Sequence, residues 1–300
     1  MAEKDMAEKI LESYNDVFCD IVNVLLFEGD EILKPEELED QAPRSHYKAD
    51  GKLHEMERDV AKRWKKEKIR IACVGIENQT NADPDMPLRV IGYDGAEYRA
   101  QLLAENETNS RYPVVTLVLY FGHKRRWNLP TRLLERVSVP ERFRPFVNDY
   151  KVNLFEIAFL SREQVNLFQS DFRIVADYFV QKREKGDYIP EPQEFVHVQE
   201  TLQLLSVMTG DHRFEDAWKD GKKGGPCNMC DVLDRIENRG IQQGIQQGMQ
   251  QGIQQGENLL AQLIQKLFAL GRIEDVKRVA EDKEYRQMLL KEFSEQEKEN

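Results

Sequence analysis

A carboxylate and an amide two residues apart, Glu77 and Gln79, stand directly after an apolar run in the segment IRIACVGIENQT. The run is β-branched and small (Ile69, Ile71, Ala72, Cys73, Val74, Ile76), too short for a core helix, and reads as one buried strand. Strand side chains alternate between faces, so Glu77 and Gln79 are expected to point one way and Asn78 the other. Two oxygen donors leaving a buried strand together suit a hard cation such as Mg2+, provided a neighbouring strand supplies a second carboxylate. Asp59, in ERDVAKRW, is the supplier the sequence offers. The competing reading is that Glu77 and Gln79 cap a strand end in solvent.

The elements that must position these groups follow from periodicity. Residues 6 to 27 carry a helical stripe of Ile10, Tyr14, Val17, Phe18, Ile21, Val24 and Leu25, with Asn15, Asp16 and Asp20 lying off it. Glu28 to Asp50 is acidic and turn-rich, a loop with a short helix or an edge strand. Leu53 to Lys68 supports two structures. Propensity favours a helix through Leu53, Val60 and Trp64, whereas a strand from Asp59 to Trp64 would make a hairpin with the Ile69 strand and bring Asp59 near Glu77. Asp83-Pro84-Asp85 starts a helix, continued on Leu88, Ile91, Tyr98, Leu102 and Leu103 to about residue 104. VVTLVLYFG, Val114 to Gly122, is a second buried strand, so the helix between is the crossover of a βαβ unit with parallel neighbours. Lys151 to Leu160 reads as a further strand at an edge, and Val165 to Lys185, Pro192 to Met208 and His212 to Lys219 as helices.

Composition narrows the class. At 40% hydrophobic and 32% charged, the chain is that of a globular protein with material for one sizeable core. The longest apolar run falls far below the roughly 20 residues of a membrane span, and the charged MAEKDMAEKI start lacks an apolar leader, so a cytoplasmic protein with no membrane partner is expected. A net charge of −11 argues against a coat of Lys and Arg, yet leaves room for a local basic groove. Seven Lys and Arg between Arg58 and Arg70, Arg63 and Lys65 among them, crowd the proposed site, and Lys124 belongs to a second basic run after the later strand. Cys227 and Cys230 form a single C-x2-C with no second pair, which does not make a zinc site.

Gly221 to Pro226 is a linker by composition, and beyond it Gly-Ile-Gln-Gln tetrads run from Gly240 to Gly256. As a helix, the tetrad winds its Ile/Met stripe slowly around the axis and presents small residues for close packing with a second copy. As low complexity, it is a tether. Three regions are expected: residues 1–160 as the core that carries the site, 161–220 as a helical extension, and 221–300 as linker and helical tail.

Asp59, Glu77-Asn78-Gln79, the acid-capped helix with Arg89 and Tyr93, the VVTLVLYFG strand and the Gly-Ile-Gln-Gln tail together resemble one family. This is the recombination-promoting nuclease/putative transposase (Rpn) family of the PD-(D/E)XK nuclease superfamily. The resemblance covers roughly residues 10 to 240 and extends into the tail. It implies an α/β fold with a restriction-endonuclease-like mixed sheet in the order αβββαβ, flanked by helices and followed by an all-helical C-terminal region. It further implies Mg2+-dependent cleavage of DNA, associated with recombination or mobile elements. Carried over by residue, Asp59 and Glu77 are the metal ligands, and Gln79 stands where the superfamily usually has lysine. Asn15 or Asp16 occupies the place of a helix-borne contributor. Arg89, Arg63, Lys65 and Lys124 are the candidate contacts to nucleic acid, and a second copy of the chain is the expected partner of the tail. The alternative is a catalytically weakened DNA-binding or assembly protein that acts through the tail. Nothing in the chain resembles the DDE triad of cut-and-paste transposases.

Overall fold

The computed structural model describes residues 11–40, 44–49, 52–57, 60–66, 69–76, 83–103, 111–221 and 228–296. The chain falls into two compact units, Met1–Asp234 and Arg235–Asn300. In chain order the first contains α1 (Asn15–Phe27), β1 (Leu38–Asp40), β2 (Arg44–Ala49), β3 (Lys52–Glu57), β4 (Val60–Trp64), β5 (Ile69–Ile76) and α2 (Met86–Leu103). It continues with β6 (Val114–Tyr120), α3 (Leu133–Arg136), β7 (Asn153–Glu156), α4 (Arg162–Leu167), α5 (Phe172–Lys185), α6 (Val198–Thr209) and α7 (Arg213–Gly221). A long helix, α8 (Met229–Ala269), then leads to α9 (Ile273–Glu281) and α10 (Lys283–Gln296).

Five strands form one mixed sheet in the order β1-β4-β5-β6-β7, and β2 with β3 makes a separate hairpin. β4 is antiparallel to β1 and β5, while β5, β6 and β7 run parallel. The helix alternative for the segment before Ile69 therefore loses to the hairpin. Helix propensity differs by less than about 1 kcal/mol per residue among these side chains. Pairing on both edges, together with burial of Val60, Ala61, Lys62 and Trp64, outweighs it. The expected crossover is present: α2 joins β5 to its parallel neighbour β6. The strand foreseen over 151–160 shortens to β7, followed by a 3-10 turn at Ile157–Phe159.

The rotation of α2 departs from the sequence reading. Leu88, Tyr98, Leu102 and Leu103, expected on its apolar stripe, are exposed, whereas Met86, Val90, Tyr93, Asp94, Glu97 and Gln101 are buried. The reason lies in partners that local periodicity does not register. Met86 and Val90 pack on Val118 and Val152, and one turn further the contacts become polar. Thr116 Oγ1 donates to Asp94 Oδ1 at 2.6 Å and Tyr150 donates to its other oxygen. The Tyr112 hydroxyl donates to Glu97 at 2.9 Å, and the Gln101 amide pairs in both directions with the Tyr112 backbone. A buried carboxylate that receives hydroxyl donors tolerates burial, and moving it to solvent would strand those donors.

The other face of β6 is apolar. Leu117 and Leu119 are fully buried, and Phe121 meets Phe172 and Phe179 edge-on or tilted, with α1 packed against α5. The single helix foreseen over 165–185 is instead two, α4 and α5. Asp20 of α1 accepts the amides of Gln169 and Ser170 at 2.9 and 2.7 Å and the Ser170 hydroxyl at 2.6 Å, which takes those groups out of a helical ladder.

In α8 the tetrads form part of one continuous 41-residue helix on which Ile241, Ile245, Met249 and Ile253 are exposed. Its C-terminal part supplies Leu263 and Leu267 to a small core with Val279 and Leu289 of α9 and α10. A Cβ added at Gly244, Gly248 or Gly252 would meet nothing within 4 Å. Alanine at all three is thus expected to raise the stability of α8 by about 0.5–1 kcal/mol per site. Circular dichroism through a thermal melt reads this directly, and an unchanged or lowered melt would mean that the glycines make room for something packed on them.

Candidate functional site

One end of the sheet is defined by where β4 begins and where β5 and β6 end. Val60, the first residue of β4, lies opposite Cys73, and Ile76, the last of β5, lies opposite Tyr120 of β6. Asp59, Glu77 and Gln79 adjoin these strand ends in sequence and lie outside the described residues.

Lys62, two residues into β4 from Val60, is the group that sequence reasoning missed most plainly. Its side chain is 0% exposed, and Nζ donates to the Ser13 carbonyl at 2.6 Å and to Asp40 Oδ1 at 2.5 Å, above the Phe18 ring. Asp40 is 85% exposed, so solvent screens that oxygen and the fixed partner is the carbonyl before α1. The pair ties the start of α1 to the middle of β4. Glu12, one residue earlier, is also fully buried. Behind this contact Cys19 is buried, and burial pushes its thiol up to about 12 against the opposing pull of Lys62, which leaves it protonated and unreactive.

The two expected helix-borne contributors are engaged by other elements. Asn15 Nδ2 donates to the Pro35 carbonyl at 3.0 Å, and Asp16 Oδ2 lies 2.9 Å from Nε2 of His197. His197 stacks on Tyr14 at 3.8 Å between ring centroids, and the Tyr14 hydroxyl donates to Glu200 at 3.2 Å. The histidine is itself positioned from below. Asp171, buried at the start of α5, accepts the amides of Val196 and His197 and the hydroxyl of Thr201.

Arg89 stands in the first turns of α2, on the segment that leaves β5. It donates to Asp83 at 3.0 Å and to the Tyr93 hydroxyl at 2.9 Å. Burial pulls its pKa down, but Tyr93 and Asp83 outweigh that and raise it, so the guanidinium is firmly cationic. Lys124 is exposed on the segment that leaves β6, at this same end of the sheet. Arg63 packs its guanidinium on the Tyr112 ring, 5.6 Å from the centroid. Lys65 lies beyond the far end of β4, five residues from Val60, roughly 17 Å along a strand. Among the described residues, Lys62, Arg63 and Lys65 are thereby spread along β4 and beyond it, and the cations at the candidate end come from α2 and from the exit of β6.

Next to Lys124, His123 packs towards Phe179, and its pKa is lowered by burial first and then by Lys124 and Lys182. A histidine whose folded pKa lies below its unfolded one stabilises fully above about pH 6.5 and ceases to as pH falls through the folded value. Urea midpoints for the native chain should therefore drop between about pH 7 and pH 5 more than those of His123→Gln. Parallel profiles would show that His123 is not the group responsible.

Among the described residues no three His, Cys, Asp or Glu side chains cluster as a metal site. No described helix is long and apolar enough to cross a membrane. No curated protein and no solved structure matches the chain. A family model does, that of the "Putative transposase, YhgA-like" proteins, over residues 50–204. The match takes in Asp59, Glu77 and Gln79, the whole of α2 and β6, and the start of α6, more than half of the sequence. The chain belongs to the YhgA-like putative transposase family.

Proposed function

We propose that the chain is a Mg2+-dependent DNA endonuclease of the restriction-endonuclease-like kind, with its site where β4 begins and β5 ends. One observation carries the reading. β4 and β5 are antiparallel neighbours, so the residue before Val60, which is Asp59, and the residue after Ile76, which is Glu77, are joined to the same end of one strand pair. The sheet elements taken in order, α1, β1, β4, β5, α2 and β6, also follow the αβββαβ pattern, with the β2–β3 hairpin as an insertion.

Two carboxylates are the hard oxygen donors that Mg2+ requires, and Asp59 and Glu77 would hold it. When bound, the ion would polarise a phosphoryl oxygen and make bound water more acidic. Gln79 orients the attacking water through its amide, in place of the lysine of the superfamily. A neutral amide lacks the charge that stabilises a pentavalent phosphate, so Arg89 and Lys124 at the same sheet end supply it. We assign the helix-borne acid to Glu12, because it is buried beside the Ser13–Lys62 contact while Asn15 and Asp16 turn to Pro35 and His197.

Plasmid DNA incubated with the full chain and Mg2+ tests this. Nicking is expected from the native chain and not from Asp59→Ala or Glu77→Ala, and equal nicking by all three would remove the assignment. A second reading, an assembly protein acting through its tail, is favoured by the exposed stripe Ile241, Ile245, Met249 and Ile253 on α8. It predicts that Ile245→Asp with Met249→Asp lowers the sedimentation coefficient of the native chain. An unchanged coefficient would end that role for the tail.

A further inference from the structure

The segment between β6 and β7 is, like residues 58–70, basic in an acidic chain. Residues 123–151 hold eight Lys and Arg against three Asp and Glu, in a chain whose net charge is −11. Three of these cations are used internally: Arg126 pairs with Glu156, Arg132 with Asp149 and Arg136 with Asp85. Lys124, Arg125, Arg142 and Arg144 make no ion pair among the described residues and are exposed.

Midway along the segment stands a 3-10 turn, Glu141–Phe146, in which all six residues are exposed. Phe143 is 62% exposed and Phe146 83%. Solvent-facing phenylalanine is unfavourable, and two of them, alternating with Arg142 and Arg144, form a compact patch with an aromatic and a cationic component. The turn is not a loose loop. The Asp149 carboxylate accepts the amides of Leu134 and Tyr150 at 3.1 and 2.9 Å and Nε of Arg132 at 2.5 Å. Leu133 N donates to the Tyr150 carbonyl and Val152 N to that of Thr131, and Arg136 reaches Asp85 at the start of α2. The Arg136–Asp85 pair fixes the base of the turn to the segment that follows β5, the strand whose end carries the proposed site.

We propose that Glu141–Phe146 engages nucleic acid: Phe143 and Phe146 stack on, or wedge between, bases while Arg142, Arg144, Lys124 and Arg125 hold backbone phosphates. The proposal rests on the nuclease reading and deepens it, because it assigns the substrate a distorted or unstacked duplex at the point of contact. Arginine forks match phosphate oxygens, and aromatic faces stack on any base, so the pairing recognises polynucleotide without a sequence code. Wedging side chains of this type kink duplexes by unstacking one step. An anionic membrane would also attract the cations, but two phenylalanines on one short turn offer little apolar area beside the long amphipathic helices that bind membrane surfaces. Glu141 is the one acid on the turn and faces solvent with them.

The test uses the full chain in EDTA, so that binding is read without cleavage, on a short duplex carrying 2-aminopurine. The native chain should bind with a rise in 2-aminopurine fluorescence. Phe143→Ala with Phe146→Ala should weaken binding about tenfold or more, abolish that rise and leave the salt dependence intact. Arg142→Gln with Arg144→Gln should instead flatten the slope of log affinity against log salt by about 2. Melting temperatures of both variants should match the native chain, since none of the four side chains is buried. If the native chain binds and both variants bind like it, the turn plays no part and the nuclease reading stands. If the native chain ignores DNA but adheres to phosphatidylcholine–phosphatidylglycerol vesicles through the phenylalanines, the turn is a membrane contact and the proposal fails. A native chain that neither binds nor nicks DNA removes this proposal and the nuclease reading together.

Discussion

Plasmid nicking by Glu77→Gln is expected to fall at least about a hundredfold below that of the native chain, while DNA binding in EDTA stays within about threefold. On the proposed reading, the substitution keeps the shape of the side chain and removes the charge with which Glu77 would hold a divalent ion. Even groups that only support a metal ligand are worth roughly 10- to 100-fold, so a ligand proper stands at the upper end of that range or beyond. Asp59→Asn should behave alike, and the double substitution should cost scarcely more than either single one, because ligands of a shared ion act as a unit. Single losses that multiply in the double variant would mean that the two carboxylates serve separate ends. Retained nicking in Glu77→Gln with binding intact would move the chemistry elsewhere in the molecule.

The second large effect is on stability. Asp171→Ala is expected to lower the unfolding free energy by about 3–5 kcal/mol. Its carboxylate is buried and receives two backbone amides, from Val196 and His197, and the Thr201 hydroxyl. Removing it strands the fully buried Thr201 hydroxyl and two part-buried amides, those of exposed Val196 and half-buried His197, at about 1–3 kcal/mol for the first and nearer about 1 kcal/mol for each amide. Against a typical total of about 5–15 kcal/mol this is a large fraction. Lys62→Met makes the informative contrast. Asp40 is already in solvent and only the Ser13 carbonyl loses a donor, so about 1–2 kcal/mol is expected although the lysine is the more buried group. Urea unfolding of both variants settles the order, and a Lys62→Met loss above that of Asp171→Ala would overturn this account of which polar burial matters. Asp171→Ala should also free His197 from its amide contact and, through it, loosen the Asp16 pair.

Where the sequence was legible, the information was local. The strands around Ile69–Ile76 and Val114–Tyr120 are apolar runs bounded by turns, and the helix between them has the length that a parallel crossover needs, so their pairing follows from handedness and reach. The tetrads from Gly240 to Gly256 are visible at once as a repeat, and as a helix their exposed stripe follows from the spacing. The hairpin before Ile69 was legible as one of two structures, because VAKRW fits either period and only its neighbours choose. The pairing of Asp59 with Glu77 in chemistry is an inference from residue type, and both residues lie outside the described ones.

By itself the sequence determined the two strands, the crossover between them, the helical second half, the start of α2 just after Asp85 and the family. Hydrophobic period and turn chemistry act over a few residues and so are written in a few residues. The tertiary structure alone decided which face α2 buries, where the helix after residue 165 breaks, and what Lys62, Asp16 and Asp171 touch. Asp16 meets His197 across 181 positions and Asp20 meets Ser170 across 150. A polar group can be buried only where a partner arrives, and no window of sequence short enough to show a period is long enough to contain that partner.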